Sequence, residues 1–420
     1  MKPGSPPAPV AATFTRYQTW VIALLVFLQF TVILDFTIIS PLGVLMMRQL
    51  NITPAQFGLA VSVYAFAAGT SGLLAAGFAD RFDRKRMLLL FYTGFLVGTL
   101  LCGIAHSYQF LLFARTITGI FAGVLGSTVF AITTDLFVYQ MRGRVMGFLQ
   151  TSFAASSIIG IPLGLYLSGR WSWNAPFLMI VPIGVVVGVA AARFLQPIDA
   201  HLTLQTDRSA LHHLWHTLST PRYLQGIATV CLLATGAFIL MPYSSTFAVN
   251  NLGLTIKQLP PLYTITGLCS IVAGPLIGRA SDAYGKFRVF CFGCAATSIM
   301  VLIYTHLGVT PIGLVILVNC LLFVGVSSRM ISSSALLSAI PSPTDRGSYM
   351  SISSSVQQIS GGTAAVIGGT IVSESATGAL EHFDIVGYLL VGTTLITLFM
   401  MYFINQRVQI TTIAGSSPAA

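Results

Sequence analysis

The chain has 420 residues, 55% of them hydrophobic and only 8% charged. An average soluble domain carries about 25% charged residues, so a water-soluble globular fold is excluded. A formal charge of +10 would point to nucleic acid in a soluble protein, but here the basic residues cluster in short loops between apolar runs. Those runs are about 20 residues each, long enough to cross a hydrocarbon core of about 30 Å, and they predict a polytopic all-α membrane protein.

A Pro- and Ala-rich tail, residues 1–18, shows no signal-peptide pattern. Twelve apolar spans follow, at roughly 19–46, 55–79, 87–105, 109–138, 145–168, 175–195, 222–249, 259–280, 288–307, 311–339, 348–373 and 384–405. The longest hydrophilic interruption, 196–221, separates a six-helix bundle over 19–195 from a second over 222–405, and 406–420 forms a C-terminal tail. Lys2, Arg16, Arg81, Arg84, Lys85, Arg86, Arg142, Arg144, Arg193, Arg208, Arg222, Arg279, Lys286, Arg288, Arg346 and Arg407 fall in loops on one side, and only Arg48, Arg170 and Lys257 on the other. The positive-inside rule then places both termini and the central linker in the cytoplasm.

All six cysteines lie in apolar stretches. Cys291 and Cys294 have the CxxC spacing but no polar surroundings, so they read as packing residues. His212 and His216 in the linker, with Leu211, Leu214 and Trp215, read as an interfacial amphipathic helix. No phosphate-cradling GxxxxGK[ST] loop, metal-ligand cluster or nucleophile–base pair is present, so no cofactor, metal or enzymatic site is expected.

The halves repeat. Ala76-Gly77-Phe78-Ala79-Asp80-Arg81-Phe82-Asp83-Arg84-Lys85-Arg86 after the second span matches Gly278-Arg279-Ala280-Ser281-Asp282-Ala283-Tyr284-Gly285-Lys286-Phe287-Arg288 after the eighth. Asp80 and Asp282 are then equivalent, 202 residues apart, as are Arg142 and Arg346, 204 apart. Parallel six-helix repeats enclose a site near the bilayer midplane, reached alternately from either side. At these loops the chain resembles the major facilitator superfamily, over essentially its whole length. The family's loop has the form G-x-L-a-D-r-x-G-r-k; Asp80, Arg81, Arg84 and Lys85 match, and Ala76 and Asp83 stand where it has glycines. The resemblance implies the major facilitator fold and a gating role for Asp80, Arg81, Arg84, Lys85, Asp282, Lys286, Arg142 and Arg346.

Arg115-x-x-x-Gly119 in the fourth span is similar to a family motif there, and its glycines permit close helix approach. Gly160-Ile161-Pro162-Leu163-Gly164, with Trp173-Asn174-Ala175-Pro176-Phe177 beyond it, resembles drug:proton antiporters and sugar exporters, though the Gly-Pro order of their signature is missing.

Ionisable groups inside a membrane mark ion or substrate pathways. Asp35 lies roughly 24 Å along its helix from the cytoplasmic end, and Arg115 roughly 9 Å below the outer surface, so the two share a depth and can pair. Burial raises a carboxylate's pKa and a guanidinium lowers it. Making and breaking such a pair takes up and releases a proton, as several proton-coupled family members do with equivalent residues. Asn319 stands where the second half would carry Arg115's counterpart. Arg329 has no acidic neighbour in sequence; it reads either as a ligand for a substrate's negative group or as a side chain snorkelling to the interface. Tyr243, Tyr263, Asn319, Gln150 and the polar stripe containing Gln357 and Gln358 complete the substrate-binding candidates, with Gln29 a weaker one. Asp135 is expected to meet Arg142 or Arg144; Glu374, Glu381 and Asp384 are expected in a solvated outer loop.

The reading that results is a monomeric, proton-driven secondary transporter of a bacterial inner membrane, exporting a small organic solute. Its alternatives are uptake or facilitated movement of an anionic or polar metabolite, and lipid transport.

Overall fold

The computed structural model describes residues 14–78, 82–199, 219–341 and 346–416. Asp80, Arg81, the Arg346 side chain and the linker histidines His201, His212, His213 and His216 lie outside the described residues. The first half runs α1 (Arg16–Ile38), α2 (Gly43–Leu50), α3 (Pro54–Phe78), α4 (Arg84–Gly103), α5 (Tyr108–Leu136), α6 (Tyr139–Ala155), α7 (Ile161–Arg170) and α8 (Ala175–Phe194). The second runs α9 (Pro221–Phe238), α10 (Ser244–Asn250), α11 (Leu259–Tyr284), α12 (Lys286–Thr305), α13 (Ile312–Leu337), α14 (Arg346–Ile371) and α15 (Phe383–Ser416). A two-residue hairpin, Ser373–Glu374 with Leu380–Glu381, joins the last two helices.

Eleven segments among the described residues are long and apolar enough to cross a membrane. The eleventh expected span, α14, has the length at 26 residues, but Ser351, Ser353, Ser354, Ser355, Gln357 and Gln358 make it more polar than the rest. Counting it, the chain crosses twelve times, in two helical bundles. Three spans expected to be continuous are interrupted. The first breaks at residues 39–42 around Pro41, and the seventh at 239–243 around Pro242, because proline lacks the N–H and crowds the preceding turn. The fifth passes through a π-turn, Ser156–Gly160, between α6 and α7. The helix starts are set locally: Thr15 and Gln18 form a capping box for α1, Asp83 caps α4 and Ser107 caps α5.

Outward-facing side chains are those a bilayer would solvate. Leu90, Val97 and Leu100 on α4, Val186 and Val189 on α8, and Leu395, Ile396 and Phe399 on α15 are all exposed. Inside each bundle, small residues bring backbones close. A Cβ on Gly119 of α5 would lie 2.5 Å from the Tyr64 carbonyl of α3, and one on Gly98 of α4 would lie 2.8 Å from the Thr118 amide of α5. In the second half Gly293 of α12 and Gly325 of α13 play the same part, with Gly293 facing the Arg329 amide at 2.8 Å. Between the halves, α3 packs along α14 and α11 along the π-turn and α7.

Gly123 is the tightest of these contacts, because a Cβ there would run into the Ala68 carbonyl of α3, which is backbone and cannot swing aside. Gly123→Leu is expected to cost about 1–3 kcal/mol and to lower the melting temperature of the detergent-purified protein, which thermal unfolding monitored by size-exclusion recovery would register. Gly126→Leu on the same helix, where a Cβ meets nothing within 4 Å, is expected to leave it unchanged.

Candidate functional site

Asp35 sits three residues before α1 ends at Ile38. Its carboxylate accepts from Arg115 Nη1 of α5 at 2.9 Å and from Thr99 Oγ1 of α4 at 3.1 Å, and both charged side chains are wholly buried. The glycines explain how three helices reach one point. Gly98, next to Thr99, lets α4 in against α5, and Gly119, one turn along from Arg115, lets α3 in. Tyr64 of α3 then lies beneath the guanidinium, 4.3 Å from its carbon to the ring centroid. A cation in such a place gains from the ring face. Even so, Arg115 Nε and Nη2 have no hydrogen-bond partner. Phe36, the residue after Asp35, stacks on Tyr64 at 5.4 Å and touches Phe238 of α9 at 5.8 Å, so the ion pair lies one ring away from the opposite half.

The two proline breaks meet. Ser40 Oγ donates to the Met241 carbonyl at 2.5 Å, and Ser245 Oγ donates back to the Ser40 carbonyl at 2.8 Å. Around them Arg48 Nη2 donates to Asn250 Oδ1 at 2.8 Å, Tyr243 Oη to the Ala365 carbonyl at 2.6 Å and Ser62 Oγ to the Gly362 carbonyl at 2.6 Å. Among the described residues, these hydrogen bonds lie toward the end whose loops carry few basic residues, and all but Tyr243–Ala365, which stays within the second half, join the two halves. That end is sealed.

At the basic end the described residues of the first half hold one another. Arg84 of α4, buried, pairs with Asp135 of α5 through Nε to Oδ2 at 3.1 Å. The expected partner Arg142 instead directs its guanidinium to the carbonyls of Phe137 and Thr134 at the end of α5. Asp83 caps α4 and also accepts from the Ile198 amide at 3.1 Å, tying the start of the linker to α4. Lys85 is half-buried, and Asp282 and Lys286 are exposed.

The substrate candidates divide. Arg329 of α13 is buried, 5% exposed, and its Nε has no partner. It does not snorkel: its Nη2 comes within 3.8 Å of where a Cβ on Gly236 would sit, 15 residues along α9 from that helix's start at the basic end. Tyr243 is fully buried, with its hydroxyl donating to Ala365 of the same half and its ring against Phe57 of the other, so in this structure it lies within the seal. Tyr263, Gln357 and Gln358 are half-buried, Asn319 is half-buried and donates to its own helix at the Val315 carbonyl, and Gln150 is exposed. Thr99, Tyr64 and Phe36 were not singled out from sequence. Each is an ordinary residue of an apolar span, and only helix packing brings it to the ion pair.

A charge pair sealed inside one of two halves that hydrogen-bond to each other toward one end suits a molecule whose work is to open and close, and the chain is a membrane transporter, not an enzyme. The family model for the Major Facilitator Superfamily matches residues 25–331 and 262–418, and the chain belongs to that superfamily. An uncharacterized MFS-type transporter of Bacillus subtilis (strain 168), YceJ, is 26% identical over 260 residues, which are 62% of this chain and 66% of that one. Multidrug resistance protein 3 of the same organism is 34% identical over 131 residues, 31% of this chain and 26% of the relative. A mutant of the nucleoside transporter NupG shares the fold, with a TM-score of 0.73 at 13% identity over 93% of this chain and 100% of that one.

The seal makes its own test. A Cβ on Gly58 of α3 would collide with the Tyr243 hydroxyl and lie 2.6 Å from the Ala365 carbonyl, both in the other half. Gly58→Val is expected to wedge the sealed end open. In a chain otherwise freed of cysteines, alkylation of Ser62→Cys by a maleimide is expected to rise at least several-fold when Gly58→Val is added.

Proposed function

We propose that the protein is a proton-coupled secondary transporter that exports a small organic solute by alternating access, with Asp35 and Arg115 as the coupling pair. The observation that carries this reading is the 2.9 Å ion pair, wholly buried and three residues from the end of α1. Unpairing it leaves a bare carboxylate in apolar surroundings, which costs several kcal/mol. Taking up a proton removes that cost. Arg115 stays charged throughout, so Asp35 is the member that titrates. Phe36 carries a shift of α1 to Phe238, and the breaks at Pro41 and Pro242 give both helices a point at which to bend.

Export is supported by the match to Multidrug resistance protein 3 and by the resemblance of the fifth-span region to exporters. The basic end faces the cytoplasm in this reading, with both termini, in a bacterial inner membrane. Asp80, Arg81, Arg84, Lys85, Arg142, Asp282, Lys286 and Arg346 belong to the gate at that end. Tyr263, Asn319, Gln357 and Gln358 contact the solute. The second reading, proton-coupled uptake of an anionic metabolite, is favoured by Arg329, a buried cation with no acidic partner among the described residues.

Proteoliposomes holding a pH-reporting dye separate these readings when a panel of drugs, sugars and carboxylates is applied. A solute gradient is expected to move protons in the wild type, and its sign distinguishes antiport from symport. Asp35→Asn is expected to reduce that flux to the level of protein-free vesicles. Asp35→Asn/Arg115→Gln, which removes both charges, is expected to fold as well as wild type and to stay uncoupled. Solute movement without proton movement in the wild type makes the pair structural and the protein a facilitator.

A further inference from the structure

The two halves share a backbone but not a charge pattern. Asp35 stands six residues before Pro41, and six residues before Pro242 stands Gly236. The second half thus has a hydrogen atom where the first has a carboxylate. Gly236 nevertheless faces an arginine: a Cβ there would lie 3.8 Å from Arg329 Nη2, with Thr393 Oγ1 at 3.0 Å and Leu390 Cγ at 3.9 Å.

Arg329 is held firmly and left unpaired. Its amide packs on Gly293, it is 95% buried, and among the described residues no acidic group lies within ion-pair distance. Its Nε has no acceptor, and Ser332 Oγ, one turn further along α13, is buried without a partner as well. A buried cation without a counter-charge costs several kcal/mol, and native structures satisfy buried polar groups almost without exception. An anion beside the guanidinium would offset that cost. The first half points to its chemistry, since Arg115 there is paired with a carboxylate from the helix equivalent to α9.

We infer that Arg329 binds the carboxylate of the transported solute beside Gly236, where Thr393 Oγ1 lies 3.0 Å from the position of a Cβ and turns aside to admit it. The inference rests on reading the chain as a solute transporter and gives that solute a chemical class. It places the anion in the half opposite the Asp35–Arg115 pair. Phe238, two residues after Gly236, is the residue that touches Phe36. A solute seated at Arg329 is then next to the segment of α9 through which the pair is felt.

The test uses the full chain purified in detergent, so that no proton gradient enters and its failure is separate from failure of coupling. Gly236→Asp supplies the carboxylate from within. It is expected to raise the melting temperature by about 2–4 °C over wild type, Gly236→Asn is not, and the gain is expected to vanish in Gly236→Asp/Arg329→Gln. Lactate, pyruvate, succinate and benzoate, each against its neutral amide and against sodium chloride at equal ionic strength, are then added to the wild type. At least one carboxylate and no amide is expected to raise the melting temperature, and Arg329→Gln and Gly236→Asp each to abolish that shift. Three outcomes overturn the inference: Gly236→Asp no more stable than Gly236→Asn; a carboxylate panel without effect, even if Gly236→Asp stabilises; or inorganic phosphate active where carboxylates are not.

Discussion

A charge taken out of water must be met by another charge, and in hydrocarbon there is no solvent to stand in. That constraint organises the first half of this protein. Asp35 of α1 and Arg115 of α5 come from helices far apart in the chain and touch at 2.9 Å, with α3, α4 and α5 drawn together around them at Gly98 and Gly119. The same close approach delivers Thr99 to the carboxylate and the Tyr64 ring to the guanidinium. Glycines that the family resemblance marks as packing residues therefore also set the electrostatics, since a side chain at Gly119 would push the aromatic face away from the cation. The pair in turn sits just short of the Pro41 break, three residues before α1 ends.

The second half repeats the geometry and relaxes the chemistry. Its broken helix bends at Pro242 as the first bends at Pro41, and the two breaks hydrogen-bond to each other through Ser40, Met241 and Ser245. Yet Asn319 stands in place of Arg115, and Gly236 in place of Asp35. Its buried arginine, Arg329, lies ten residues beyond Asn319 on α13. Duplicated backbones thus support two unlike interiors, one neutral by internal pairing and one carrying an unmatched positive charge.

Much of this was legible in the sequence, because the bilayer imposes strong and simple rules. Spans, loops and the two-fold repeat follow from hydropathy and from the matching Asp80 and Asp282 loops. The Asp35–Arg115 contact followed from counting helix rise, which works where both helices run straight through the membrane. What could not be read was whatever depends on packing between helices. Tyr243 reads as a polar residue open to a solute, and the structure spends its hydroxyl on Ala365 of its own half while Phe57 of the other half packs against its ring. Arg329 reads equally as a ligand or a snorkelling side chain, and only its neighbour Gly236, ninety-three residues away in the chain, decides the direction it points. Asp135 has three nearby arginines within ten residues of the span ends, and choosing Arg84 among them required the placement of α4.

The unequal halves have a consequence for voltage. Among the described residues, the ionised groups deep in the bundle are one aspartate and two arginines, so the unloaded protein carries one uncompensated positive charge in its interior. A unit charge moved through the full membrane potential exchanges about 2.3 kcal/mol per 100 mV, and the fraction felt here scales with how far the field shifts relative to Arg329 as the access switches sides. A monoanion seated at Arg329, as inferred above, cancels that charge, and a proton taken up by Asp35 adds one. The membrane potential then acts on each leg of the proposed cycle according to the interior charge that leg carries.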